Sequence, residues 1–490
     1  MKKNHFSKGL LFGLLAILVS ACTNPYQKSI PNDAFVVAEV DVKSLALKSD
    51  VLSQEQKIND LIELLAQEME VDNEINVKDL GLDFLRPMYV FATLDDGYFL
   101  AAVRNQKKLQ STLLSLPDMF ELQIVEADGL SWVKVGSQTI GAITSNALLL
   151  GTSSSKADYR DMLENNSGET YFDTDAGKLL KKKRGDITIS LDMTTCPTFI
   201  QEELYEEIEY ELGDLEDLGL EDLFDDLFKT KLALNLQCKT GKIVCNLYGE
   251  SMSEINQVMS QKISADDLKL VPDEDLICLG ALSIDGKKIL KYAEEIMDAL
   301  SEDMSSYERD AMNAVERFLN NVNGTAVAAA VGKTVDDDPN LLCVVPTQKA
   351  SLKSFLRDMD EDLPSYLTVI EQGSQTVLTE IPNYSIQSVA SNSFKYASHA
   401  KSCYLYSYVN MKPVVKYWYD DEVYYASNRE KKVINKVYDA FSLLDYSEFK
   451  VEADGNTSVA VYLNDDSKNA LAFVLDHALS LAIIAMETYN

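Results

Sequence analysis

Ile30-Pro31-Asn32-Asp33-Ala34-Phe35-Val36-Val37 returns later in the chain as Val271-Pro272-Asp273-Glu274-Asp275-Leu276-Ile277-Cys278. A second match keeps nearly the same phase: Val103, Gln106, Lys107, Leu109, Ser111 and Leu113 correspond to Val345, Gln348, Lys349, Leu352, Ser354 and Leu356. Further on, Leu191-Asp192-Met193 matches Val409-Asn410-Met411, and the segment around Gly241 matches that around Gly455. Repeats of this length are whole domains rather than solenoid units. The sequence therefore predicts two homologous halves, residues 30–265 and 270–490, the second shortened around Ser153 to Lys183 of the first.

Within each half, apolar residues alternate with polar ones early and recur at helical spacing later. Met88 to Leu94 and Tyr98 to Arg104 flank Asp96-Gly97, and Asp128-Gly129 precedes Ser131 to Val135. These are hairpin signatures. Gln138 to Thr144 and Ala147 to Gly151 continue the pattern. Helical periodicity marks Gln54 to Met69, Lys107 to Phe120, Gly286 to Leu300 and Arg429 to Leu444. The expected fold is α+β, each repeat an antiparallel β-meander covered by helices. No glycine-rich first turn of a βαβ unit occurs, which argues against a nucleotide-binding sheet.

The amino terminus has the form of an address. Lys2, Lys3 and Lys8 precede the short apolar run Leu10 to Val19, and Val19-Ser20-Ala21-Cys22 closes it. This resembles the lipobox of bacterial lipoproteins, which implies cleavage of residues 1–21, acylation of Cys22 and a polar tether over residues 22–29. Several acyl chains on one residue give stable anchoring. The tether lacks the aspartate resembling an inner-membrane retention signal, and the acidic run resembling a surface-export signal. By that analogy the expected location is the outer membrane, facing the periplasm. Ala470 to Met486, interrupted by Asp476 and His477, is expected to be a packed helix rather than a span.

With this lipobox, the opening Ile30 to Asp41 and two tandem copies, the chain resembles an uncharacterised family of Bacteroidetes-type lipoproteins, a domain of unknown function. The resemblance implies location and architecture. It brings no catalytic residue to carry over.

Charge and composition exclude several functions. The 490 residues carry 78 acidic and 45 basic side chains, a net −33, so contact with nucleic acid is unfavourable. Partners are expected to be the membrane, through the lipid, and a basic envelope protein or a neutral glycan. Only three histidines are present, and neither His399 nor His477 has a neighbour at ligand spacing. No metal or cofactor is expected. Gly332-Lys333-Thr334 resembles the end of a phosphate loop, yet Val327 stands where its first glycine is required.

Three stretches offer sites. Carboxylates crowd Glu202 to Phe228, and Glu206, Glu209, Asp217, Glu221 and Asp225 could face a basic partner, or simply coat a solvated helix. Tyr404, Tyr406 and Tyr408 alternate along a strand and are followed by Trp418, Tyr419 and Asp420. Such rings stack on a sugar or peptide, or pack a half-buried strand. Cys238 and Cys245 flank the turn at Gly241 and are directly opposite only if Gly241-Lys242 forms its centre, which would allow a cross-strand disulfide; otherwise they are diagonal thiols. The reading as a whole is a lipid-anchored envelope protein with a non-catalytic binding or assembly role. The alternative is an envelope glycan or peptide hydrolase using carboxylates beside the aromatic cluster.

Overall fold

The computed structural model describes residues 25–50, 80–115, 121–164, 168–212, 228–249, 259, 261–291, 306–335, 339–359 and 364–489. The chain is mixed helix and strand, with an antiparallel sheet of 18 strands. The described residues fall into two compact units, one within 25–47, 80–211 and 228–235, the other within 48–50, 212 and 236–489.

In the first unit the strands are β1 (Val36–Val40), β2 (Met88–Ala92), β3 (Gly97–Ala102), β4 (Leu122–Ala127), β5 (Leu130–Val135), β6 (Gln138–Ile143), β7 (Ala147–Gly151) and β8 (Ile187–Asp192). Their hydrogen-bonded order is β8-β1-β2-β3-β7-β6-β5-β4, every pair antiparallel. Asp128 and Gly129 both adopt positive φ, 53° and 81°, between paired Ala127 and Leu130. That is the two-residue turn whose twist matches the strands it joins. The turn near Asp96 falls earlier than the Asp-Gly pair suggests: Ala92 pairs with Gly97, and the Thr93 N–H donates to the Asp96 carbonyl at 2.9 Å. Gly97 thus belongs to β3.

Alternation along these strands buries Tyr89, Phe91, Leu100 and Trp132 in one core with Tyr159 and Tyr171. A second cluster forms beneath the helix Gln106–Leu114, where Leu109 meets Val133, Ile143 and Leu148. Asn105 caps that helix by accepting from the Lys108 N–H.

The chain enters the second unit through β9 (Lys231–Lys239), which pairs with β10 (Lys242–Gly249). There follow β11 (Leu276–Asp285), β12 (Asn323–Val331), β13 (Asn340–Val345), β14 (Thr368–Gln372), β15 (Gln375–Thr379), β16 (Cys403–Asn410), β17 (Leu444–Glu452) and β18 (Thr457–Leu463). Their order is β14-β15-β13-β12-β11-β16-β17-β18-β10, again antiparallel throughout. Leu279, Ala281, Val327, Leu342, Val344, Tyr406 and Tyr408 form one core face.

Among the described residues no helix is long and apolar enough to cross a membrane. Ala470–Tyr489, the segment expected to be a packed helix, is helical. The expected helix Gln54 to Met69 and the lipobox with Cys22 lie outside the described residues.

Candidate functional site

Among the described residues, a dense group of titratable side chains is in the second unit, where β16, β17 and β18 lie side by side. Glu448 of β17 has a fully buried side chain. Its Oε1 accepts from His399 Nδ1 at 2.6 Å and from the Tyr406 hydroxyl at 2.8 Å. Its Oε2 accepts from the Tyr462 hydroxyl at 3.0 Å and from Lys450 Nζ at 2.8 Å. Ladder register explains the set. Tyr408 and Ala460 are directly opposite Glu448, so Tyr406 and Tyr462 are its diagonal neighbours on the same face.

Burial alone would raise the Glu448 pKa. The hydrogen bonds from His399 and Lys450 outweigh it and hold the carboxylate down at about 2. The same negative charge, added to burial, pushes the Tyr406 and Tyr462 hydroxyls well above the usual phenol range. Tyr446 stacks on Tyr462 at 4.2 Å and on Tyr396 at 4.2 Å, and Tyr396 lies 5.3 Å from the His399 ring. Four donors on two oxygens occupy all the acceptor positions of a carboxylate. This carboxylate is consumed in holding three strands and a 3-10 helix together, and has no lone pair left for a substrate proton.

A smaller version exists in the first unit. Glu39 of β1 is buried, accepts from the Tyr89 hydroxyl at 2.8 Å and pairs with Arg184 at 3.4 Å.

Among the described residues, each unit has an open cavity. In the first unit a cleft of about 540 Å³ is bordered by Asp33, Asp95, Asp161 and Glu169, with Lys28 and Tyr98. Among the described residues no three His, Cys, Asp or Glu side chains are grouped to hold a metal ion. In the second unit a cavity of about 530 Å³ opens on the sheet face opposite the core, over Gly280, Leu282, Ala328, Cys343 and Leu405, beside Phe318. Its lining is mainly aliphatic and aromatic, with Ser407 and Cys343 among it. A cavity of this size and character accommodates a small apolar ligand.

The residues singled out in the sequence fall as follows. Tyr406 and Tyr408 are buried in the core with Phe394, and Tyr406 is also among the residues bordering the apolar cavity. Tyr404 leaves their alternation, because the β16–β17 register slips between Cys403 and Leu405 and Tyr404 is the unpaired residue of that bulge. Trp418 and Tyr419 belong to the helix Met411–Tyr425 and pack on its neighbour, Glu430–Phe441. Trp418 lies 5.7 Å from Phe441, and Tyr419 lies 4.1 Å from Tyr438 with its hydroxyl donating to Asn435. Asp420 is exposed and paired with Lys416 one turn earlier. Asp421 and Glu422 are likewise exposed, and none of the three acids borders either cavity.

Glu206 is exposed on the helix Thr198–Leu212, whereas Asp217, Glu221, Asp225 and the side chain of Glu209 lie outside the described residues. No disulfide joins Cys238 and Cys245 in the structure. They stand on the paired strands β9 and β10, either side of Gly241, which adopts φ 69°.

Sequence reasoning missed Glu448 and Lys450, whose only signal is two opposite charges at spacing two in an aromatic strand. It also passed over Gly280, a glycine in the middle of an apolar strand.

The fold defines a large antiparallel α+β protein with an apolar cavity on one face of its sheet. Residues 26–381 match the family described as a domain of unknown function, DUF4836, and the chain belongs to that family. No curated protein matches it. Among solved structures it is similar to the chain titled "Structure of crystal form I of TP0453", at 9% identity over 46% of this chain and 79% of that one, with a TM-score of 0.25.

Proposed function

We propose that this protein is a lipid-anchored component of the cell envelope, held through Cys22 at the periplasmic face of the outer membrane, which binds an apolar ligand and does not catalyse a reaction. The observation that carries the reading is the cavity over Gly280 and Ala328, open and lined by apolar side chains. Such a lining gives a ligand a place to leave water and holds no charged side chain. The lipobox supports the anchor.

Two homologous repeats, residues 30–265 and 270–490, fit the strand pairings. Neighbours run β8-β1-β2-β3 in the first unit and β16-β11-β12-β13 in the second, with each set antiparallel. The matched segments Leu191 and Val409 fall on β8 and β16. The shortening falls in two places, since β7 and β15 lie at equivalent positions but the first unit has the additional strands β5 and β6 before β7 as well as a longer stretch after it.

The test uses a naphthalene-sulfonate dye, whose fluorescence rises in apolar surroundings, on the mature chain with Cys22→Ala. Saturable binding that weakens at least tenfold in Ala328→Leu supports the reading. Absence of binding, or binding unchanged by that substitution, overturns it.

A further inference from the structure

Across the middle of the second unit one residue from each of four strands lines up on the cavity face. Gly280 pairs with Ser407 on one side and with Ala328 on the other, and Ala328 pairs with Cys343. The row Ser407, Gly280, Ala328, Cys343 is the floor of the cavity. Gly280 and Ala328 are exposed although they lie on inner strands, and a Cβ added at Gly280 would meet no atom within 4 Å. Two positions along the strands on one side stand Leu282 and Leu405, with Phe318 and Leu319 of the helix Ser306–Leu319 beside them. Two positions along on the other side stand Val409 and Leu341. The row ends at Phe449, opposite Ser407, and at Leu378, opposite Cys343.

From this row the cavity continues along the strands, past Leu282, to Ile284, Val322 and Pro346, beside Phe318. Strand spacing makes it about 14 Å across from β16 to β13. No charged side chain lines it.

The fold does not require these small residues. Across the first unit's strands in the equivalent order, β8, β1, β2 and β3, one such row is Ile189, Ala38, Val90 and Phe99. Three of its four side chains are larger than those of Ser407, Ala328 and Cys343. The same strand pattern is therefore compatible with a filled row, and the second unit leaves it vacant.

We infer that this cavity takes one unbranched alkyl chain, lying over strands β16, β11, β12 and β13 beside the row Ser407, Gly280, Ala328 and Cys343. The inference rests on the binding role proposed above and names its ligand class. An open apolar cavity with no charged side chain in its lining fits a flexible hydrocarbon chain that bends to follow it. The chain could belong to a free fatty acid or to the tail of a phospholipid, and the chemistry that binds it is the same.

The experiment uses the mature chain with Cys22→Ala and three probes: palmitate, phosphatidylcholine vesicles and the four-ring hydrocarbon pyrene. Displacement of the bound dye by palmitate assigns a fatty acid. Removal of phospholipid from vesicles without palmitate binding assigns a lipid tail. In either case Ala328→Leu or Gly280→Val raises the Kd at least tenfold, whereas Val90→Ala in the first unit leaves it unchanged.

A second readout needs no substitution. The bound chain covers Cys343 and slows its alkylation at least tenfold, leaving Cys245 unaffected, since Cys245 pairs with Val459 in the same row beyond Phe449. Dye displacement by pyrene but by neither chain-bearing probe overturns the alkyl assignment while leaving the binding role intact. Failure of the dye and all three probes to bind overturns both. Alkyl binding that leaves Cys343 as reactive as before overturns the assignment to this cavity.

Discussion

Glu448 is bonded by the Tyr406 hydroxyl at 2.8 Å, although the ladder sets Tyr408 and not Tyr406 opposite it. A diagonal bond of this kind ties β16 to β17 through side chains as well as through the backbone. With Tyr462 reaching in from β18, three strands meet at one carboxylate. Lys450 pairs with its charge, and His399 bonds to the same carboxylate.

Removing that carboxylate leaves Lys450 and two hydroxyls facing a buried void. Breaking a buried, hydrogen-bonded ion pair by deleting one partner costs about 3 to 5 kcal/mol. Glu448→Ala is expected to destabilise the protein by about 3 kcal/mol, read as a lowered urea midpoint. Phe449→Leu, on the opposite face of the same strand, is expected to cost less than half as much.

The same group sets a pH response. Glu448 ionises at about 2 in the folded chain against an ordinary value of 4.5. A lowered carboxylate pKa gives stability that is complete above the unfolded value and is lost as pH falls through the folded one. Unfolding midpoints measured from pH 6 to pH 2 are expected to fall below about pH 4.5. In Glu448→Gln the fall is shallower over that interval. An equal slope in both proteins contradicts this role.

Two glycines of the second unit separate crowding from vacancy. A Cβ at Gly286 would be 1.9 Å from the Leu319 carbonyl oxygen, while at Gly280 it would meet nothing. Gly286→Ala therefore forces backbone to move and is expected to cost about 2 kcal/mol or more. Gly280→Ala is expected to change stability by less than about 0.5 kcal/mol, or to raise it by restricting the unfolded chain. Thermal unfolding of the two variants checks the contrast.

No disulfide joins Cys238 to Cys245 across the β9–β10 pair. Peptide mapping after alkylation in denaturant without reductant is expected to find both residues modified. A disulfide-linked peptide pair contradicts this.

Strands and turns were legible wherever the information was local. Alternation marked β2, β3, β5 and β6, and Asp128-Gly129 marked its hairpin, because period and turn chemistry reside in a few consecutive residues. The site was not legible, because register made it. Nothing near Glu448 in sequence announces His399 or Tyr406, which are 49 and 42 residues away. The aromatic run Tyr404 to Tyr425 misled for the same reason: a bulge removed Tyr404 from the strand face, and a change from strand to helix after Asn410 sent Trp418 and Tyr419 to a different partner. The cavity was equally hidden, since Ser407, Gly280, Ala328 and Cys343 come from four separate strands and are ordinary small residues until the ladder aligns them.

The most direct test of an apolar-ligand role is to purify the acylated protein from its own membrane, extract it with organic solvent and weigh what is released by mass spectrometry. The account predicts about one non-covalent alkyl-chain molecule per protein chain, in addition to the acyl groups on Cys22, and its loss from Ala328→Leu. The same amount from both proteins, or none from either, would contradict it.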